Sequence, residues 1–185
     1  IEANTLKADA AHYGLALAYL KANKLDEARQ HMQQLLAAQP TNLIFLHTDI
    51  EIDLAAKNYS TALKRLNRQL VVSQNNYPLM VLKSDVLWQA RNYDGADTVL
   101  TALSRMRPQD PMIWYSLAEV RGLAGNISGL HQARAEYFIL IGVFDKARNQ
   151  LGLAARMVTE DFKQSAIIRQ RLRDLAAMEE RAERL

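Results

Sequence analysis

The strongest constraint on this chain is a recurrence of small side chains: Ala28, Ala62 and Ala96 stand 34 residues apart. With residue 9 taken as position 1 of the period, they hold position 20, and five other positions recur with them. Position 17 holds Leu25, Tyr59 and Tyr93, bulky groups that wedge a turn, and position 18 holds Asp26, Ser60 and Asp94, suited to cap or open a helix. Position 24 holds Met32, Leu66 and Leu100, one turn along a buried face. Position 32 holds Pro40, Gln74 and Pro108, and position 34 holds Asn42, Asn76 and Asp110. Proline stops a helix and Asn or Asp caps the next, so each period is two helices packed closely at an alanine.

A fixed 34-residue period of this kind is the mark of the tetratricopeptide (TPR) helix-turn-helix repeat. The expected fold is therefore all-α, a right-handed α-solenoid of about ten antiparallel helices, most of them roughly 12–16 residues long, with a longer C-terminal capping helix. A single TPR domain over residues 1–185 is expected, with repeats at about 9–42, 43–76, 77–110 and 111–141, a partial repeat at 142–158 and a C-terminal helix at 159–185. The fourth repeat is degenerate: Leu130 falls where alanine is due. Gly125 closes its first helix, and a second turn, Gly142-Val143-Phe144, follows seventeen residues later, half a period. The segment from about Ser128 to Ile141 thus reads both as the second helix of repeat four and as the first of repeat five. Another helix is expected from about Phe144 to Met157.

Thr159-Glu160-Asp161 supplies a cap and acidic first turn for the last helix. Its Ile168, Leu172, Leu175, Met178 and Ala182 step by three and four, with Arg169, Arg171 and Arg173 near that stripe. Such a helix either covers the core of the last repeat or docks onto another domain.

The rest of the composition removes function classes. Basic residues (23) and acidic residues (20) are mixed along the chain without a basic face, which argues against nucleic-acid binding. The absence of cysteine removes disulfides and thiol chemistry. No apolar run reaches the ~18 residues of a membrane span. Ile1 to Asp9 lacks an initiating Met, a basic start and an apolar core, so the sequence reads as a processed protein or an excised domain.

No catalytic constellation emerges. His12, His31, His47 and His131 make no H-E-x-x-H and no metal-ligand spacing, and His12, at position 4, is expected as a packed structural histidine. Phosphate-cradling and dinucleotide motifs are absent. No catalytic, cofactor or metal site is therefore expected in this chain. One oddity is the run Asp49, Glu51, Asp53. Asp49 and Asp53 share a helix face at positions 7 and 11, which TPR units fill with packing residues, so a cationic partner is implied, with Lys83 the candidate. An acid/base pair of a hydrolase is the alternative reading.

Function is expected in the concave groove lined by the first helix of each repeat, at positions 2, 5, 9, 12 and 13. Tyr13, Leu17, Leu20 and Lys21 come from repeat one, and His47, Glu51 and Leu54 from repeat two. Val81, Asp85, Trp88 and Gln89 follow from repeat three, with Met112, Tyr115 and Glu119 from repeat four. Carboxylates at position 9 of three repeats (Glu51, Asp85, Glu119) suit a protein segment held by apolar anchors with basic or N–H groups facing the acids. Capture of an acidic C-terminus is disfavoured, because Lys21 stands alone.

The stretches Tyr13 to Asn23, Leu25-Asp26-Glu27-Ala28-Arg29 and Asp49 to Ala55 resemble the C-terminal TPR region of BepA-type (YfgC-type) bacterial periplasmic zinc metalloproteases, the β-barrel assembly-enhancing proteases. The degenerate fourth repeat, Ala133-Arg134-Ala135-Glu136-Tyr137 and the Arg-rich closing helix resemble it too. The resemblance implies an N-terminal protease domain with an H-E-x-x-H zinc site outside this chain and a periplasmic address. It also implies protein partners in the β-barrel assembly machinery and among outer-membrane barrel clients, with quality control of outer-membrane protein assembly as the task. None of the family's zinc ligands falls on a residue of this chain. The alternatives are a free-standing TPR adaptor and a self-contained enzyme on an α-solenoid.

Overall fold

The computed structural model describes residues 2–182 and 184, with side chains from residue 7 onward. Ten α-helices account for most of them, with no strand among the described residues. They are α1 (Glu2–Lys21), α2 (Leu25–Ala38), α3 (Leu43–Ala55), α4 (Tyr59–Val72), α5 (Tyr77–Gln89), α6 (Tyr93–Met106), α7 (Pro111–Leu123), α8 (Ile127–Leu140), α9 (Phe144–Met157) and α10 (Phe162–Ala182). They fall into two compact units, Ile1–Ala90 and Arg91–Leu185.

The alanine register places Ala28, Ala62 and Ala96 at 0% exposure, so their methyl groups lie against other helices. In the first unit Ala28 packs with Met32, Leu35 and Ile52, and Leu20 lies against the same cluster. Ala62 packs with Ile50, Leu66 and Val86, with Leu54 against it. In both repeats a leucine at position 12 therefore lies against the cluster that holds the alanine at position 20. Repeat four exchanges the sizes: Leu130 stands at position 20 and Gly122 at position 12. A Cβ added at Gly122 would lie 2.6 Å from Leu130 Cδ1, so the glycine is the space the leucine needs.

The turn inside each repeat has its own register. Position 15 is Asn23, Lys57, Arg91 and Gly125, all at positive φ (57°, 57°, 57° and 78°), and Gly142 repeats it at 74° half a period later. After Asn23, Lys57, Gly125 and Gly142 the next residue donates to a carbonyl five back, as in Asn58 N to Asp53 O (2.7 Å) and Asn126 N to Arg121 O (2.8 Å). This is the Schellman closure, which needs a left-handed residue. Lys57 and Arg91 accept a backbone conformation that glycine holds without strain.

At the other end of each period the caps stand as expected. Asn42 accepts from Ile44 N and Phe45 N, Asn76 from Leu79 N, and Asp110 from Met112 N. Capping at position 18 does not hold. The second helices start two residues earlier, at caps Lys24, Asn58 and Asn92, and of these only Asn92 uses its side chain, accepting from Gly95 N. Asp26 and Asp94 lie inside the first turn, where their charge meets the helix dipole. In the same way Asp161 caps α10 by accepting from Gln164 N at 2.9 Å, and Thr159 and Glu160 form the turn before it.

In the second unit Ala135, Ala147, Leu151 and Ala154 form a core closed by Ile168 and Leu175 of α10, with Leu172 and Met178 alongside. Four of the five stripe residues of the last helix thus cover the preceding helices, while Ala182 is exposed. Residues 183 and 185 of that expected helix lie outside the described residues.

Candidate protein-binding surfaces

The carboxylates at positions 7 and 11 are fully enclosed: Asp49 and Asp53 are each 1% exposed. Their partners are two arginines from the flanking helices, not Lys83. Arg29 of α2 donates to Asp49 Oδ1 (2.8 Å) and to Asp53 Oδ1 (2.5 Å). Arg65 of α4 brings Nη1 to 2.5 Å from Asp49 Oδ2 and Nε to 3.0 Å from Asp53 Oδ2. The Arg65 pairings are ionic contacts that satisfy no hydrogen bond at either Oδ2. Desolvation raises the Asp49 pKa above its ordinary value, against the opposing pull of Arg65 and then Arg29. Two carboxylates, each held by two guanidiniums, form a neutral joint between helices. The geometry is that of a structural network and leaves no open pocket for an acid/base pair.

None of the fourteen groove residues is fully buried; those of repeats one to three lie in the first unit and those of repeat four in the second. In the first unit His47 Nδ1 lies 3.5 Å from Glu51 Oε2, an ion pair when the imidazole is protonated. Asp85 of α5 faces the same histidine; crowding strips water from its carboxyl and raises its pKa, and His47 acts in the opposite direction. Tyr13 is half-buried, meets the Phe45 ring at a 42° tilt and shares a hydrogen bond with Thr48 Oγ1 at 3.1 Å. Leu17 (40%) and Trp88 (45%) are exposed, as is Lys21, whereas Leu54 and Val81 are half-buried, Leu54 against the core.

In the second unit Tyr115 is 43% exposed and Met112 is 60% exposed. The Glu119 carboxylate near Tyr115 raises the phenol pKa, first as an acceptor for the hydroxyl proton and then through its charge. Tyr137 of α8 meets Tyr115 edge-on, ring centres 5.6 Å apart. Tyr137 falls outside the groove positions of the repeat, and its only sequence signal was its place in the Ala133–Tyr137 segment. His12 is a packed histidine as expected: its Nδ1 lies 2.9 Å from Nδ1 of His31, which stacks on Tyr19. No group of three metal-ligating side chains occurs among the described residues, and none of their helices is long and apolar enough to cross a membrane.

These registers agree with comparison to known families: a tetratricopeptide-repeat model matches residues 1–42 and 81–127. The matched stretches are tetratricopeptide repeats, and the described fold is an all-α series of helices. Two stretches are unmatched: 128–185, and 43–80, which holds repeat two with buried Asp49 and Asp53. Among relatives, the β-barrel assembly-enhancing protease of Escherichia coli (strain K12) is 31% identical over 179 residues, which is 96% of this chain and 36% of that protein. Its Yersinia pestis counterpart is 33% identical over 173 residues, 93% of this chain and 35% of the relative. The chain therefore spans about a third of the length of these relatives, along a helical repeat region that contains no H-E-x-x-H. Among solved structures, MamA from Desulfovibrio magneticus RS-1 superposes with a TM-score of 0.62 at 17% identity, over 92% of this chain and 96% of its own. A thermophilic TPR protein of Thermus thermophilus gives 0.53 at 15% identity, over 91% and 99%. Both are likenesses of fold.

Proposed function

We propose that this chain is the protein-binding TPR domain of a periplasmic zinc metalloprotease that serves outer-membrane protein assembly and quality control. Its two units act as one domain that recruits the β-barrel assembly machinery and barrel clients to the attached protease. The observation that carries this reading is 31% identity to a β-barrel assembly-enhancing protease along 96% of the chain. Zinc belongs, in this reading, to the protease domain outside these residues.

The contact surface is the first-helix face of each repeat. Trp88 and Tyr115 serve as aromatic anchors and Leu17 as an aliphatic one, and Glu51, Asp85 and Glu119 meet basic side chains or backbone N–H groups of the partner. Exposed aromatics next to carboxylates suit this task, because one supplies area and the other direction.

The test is made in the full-length protein, by copurification with β-barrel assembly proteins. Trp88→Ala and Tyr115→Ala should each lower capture about tenfold, as loss of an aromatic anchor of about 1–2 kcal/mol does, with circular dichroism unchanged. Undiminished capture by both variants contradicts this face as the binding surface. An upstream coding sequence without H-E-x-x-H would favour a free-standing TPR adaptor instead.

A further inference from the structure

In the second unit α10 closes the core by packing on α9, and its bridge to α8 is ionic: Arg171 donates from Nε and Nη2 to Glu136 at 2.7 and 2.5 Å. Between the two helices this strap leaves a cavity of about 370 Å³. Trp114, Ala133, Leu151, Ile167 and Ile168 form an apolar wall, and polar and charged side chains, Glu136, Arg171 and Asp174 among them, line the rest. A second cavity of about 330 Å³ shares Arg121 and Gln132 with the first and is lined by polar groups, among them Asn126, Ser128 and Gln164. The two cavities adjoin at Arg121 and Gln132, the first with an apolar wall and the second lined by amides.

Their charge narrows the occupant. Arg121 is held by Asp97 (Nε to Oδ1, 2.9 Å) and Arg171 by Glu136, so both guanidiniums carry their own counter-charge. A phosphate, a lipid headgroup or a nucleic acid would have to displace a formed ion pair. Asn126 Oδ1 caps α8 and Gln132 Nε2 donates to Ser128, which leaves Asn126 Nδ2 as a donor and Gln132 Oε1 as an acceptor beside Gln164, groups that a peptide backbone can pair with. The first cavity is large enough for a side chain of leucine or phenylalanine size, and buried Leu151 and Ile168 at its base give that side chain an apolar surface.

The cleft is separate from the first-helix face. At 100° per residue, Trp114 and Arg121 point from α7 roughly opposite to Met112, Tyr115 and Glu119. We propose that this cleft is a second polypeptide site. An extended segment of a partner protein lies along the amide-lined part and inserts one aliphatic or aromatic side chain beside Trp114 and Ile167. The site stands independently of the groove reading.

The probe is a blocked pentapeptide, Ac-Ser-Gln-Leu-Gln-Ser-NH2, titrated into the 185-residue chain beside a counterpart with serine at its centre. The readout is the NMR shift of the Trp114 indole N–H and the Gln132 and Gln164 side-chain amides. The leucine peptide should shift all three and bind about tenfold or more tightly than the serine peptide, the usual worth of one apolar anchor. Ile167→Asp, at a position 48% exposed, should remove that preference, whereas Val72→Ser on α4, 78% exposed, should leave it intact. If Ile167→Asp alters the circular dichroism, Ile167→Ser is read in its place. Equal binding of the two peptides, no shift with either, or an unchanged preference in the Ile167 variant overturns the proposal. Shifts centred on Met112 and Tyr115 overturn it as well, while leaving the first-helix surface as the binding face.

Discussion

In the unit spanning Ile1–Ala90, position 21 of one repeat meets position 11 of the next as Arg29 and Asp53; in the unit spanning Arg91–Leu185 the same register pair is Asp97 and Arg121, with the charges exchanged. Between these, the corresponding positions of repeats two and three hold Leu63 and Leu87. The geometry of stacking sets the pair, and an ion pair of either polarity or two leucines can occupy it. Burial is what separates the two ionic versions. Asp49 and Asp53 are enclosed and need both Arg29 and Arg65, whereas the side chains of Arg121 and Asp97 keep 19% and 30% of their surface in water.

That difference should be largest when an arginine is removed. Arg29→Ala leaves two buried carboxylates sharing one guanidinium and should cost about 3–5 kcal/mol in urea denaturation. Arg121→Ala, at a partly hydrated pair, should cost about 1 kcal/mol or less. Equal losses at the two sites would break the distinction.

A middle-sized effect tests the exchange of sizes between positions 12 and 20. Ala62→Leu should cost about 1–3 kcal/mol by overpacking against Leu54. Adding Leu54→Gly copies the Gly122/Leu130 arrangement of repeat four, so the double variant should lose less than the two single losses together. Additive losses in thermal melts would mean that the two positions do not share one space.

The smallest effect concerns pH. A carboxyl whose pKa is higher folded than unfolded holds more proton in the native state, so its contribution to stability is present at low pH and lost as pH rises through the folded pKa. Asp49 is such a group. Acidification from pH 7 towards about 4 should therefore stabilise the wild type relative to Asp49→Asn. A stability difference that moves the other way would mean that the arginines outweigh desolvation at this site.

The sequence makes the helical frame legible because one interval controls both packing and capping. Ala28, Ala62 and Ala96 are enclosed, Asn42, Asn76 and Asp110 cap, and α9 ends at Met157 where its pattern ends. The partners of Asp49 and Asp53 were not legible. Arg29 and Arg65 lie 20 and 16 residues from Asp49 on second helices, and a pattern read along one helix face cannot show which neighbour leans over it. The same limit hid Gly122, which reads as a weak helix residue until Leu130 is seen against it. For the proposed binding surface, position arithmetic put His47, Glu51 and Asp85, and Tyr115 and Glu119, on first helices, where the structure brings each set near one another. Tyr137 and the cleft beneath Arg171 escaped it, since both depend on how α8 and α10 pack beyond the regular period.

Whether first helices meet the partner while second helices support them is tested most directly by photo-crosslinking in the full-length protein in cells. Crosslinking residues are placed at Trp88 and Tyr115, against controls at exposed Lys64 of α4 and Asn149 of α9. Crosslinks to β-barrel assembly proteins or barrel clients from Trp88 and Tyr115, with few or none from Lys64 and Asn149, are the predicted result. Equal crosslinking from all four positions, or crosslinks from Lys64 and Asn149 alone, would contradict it.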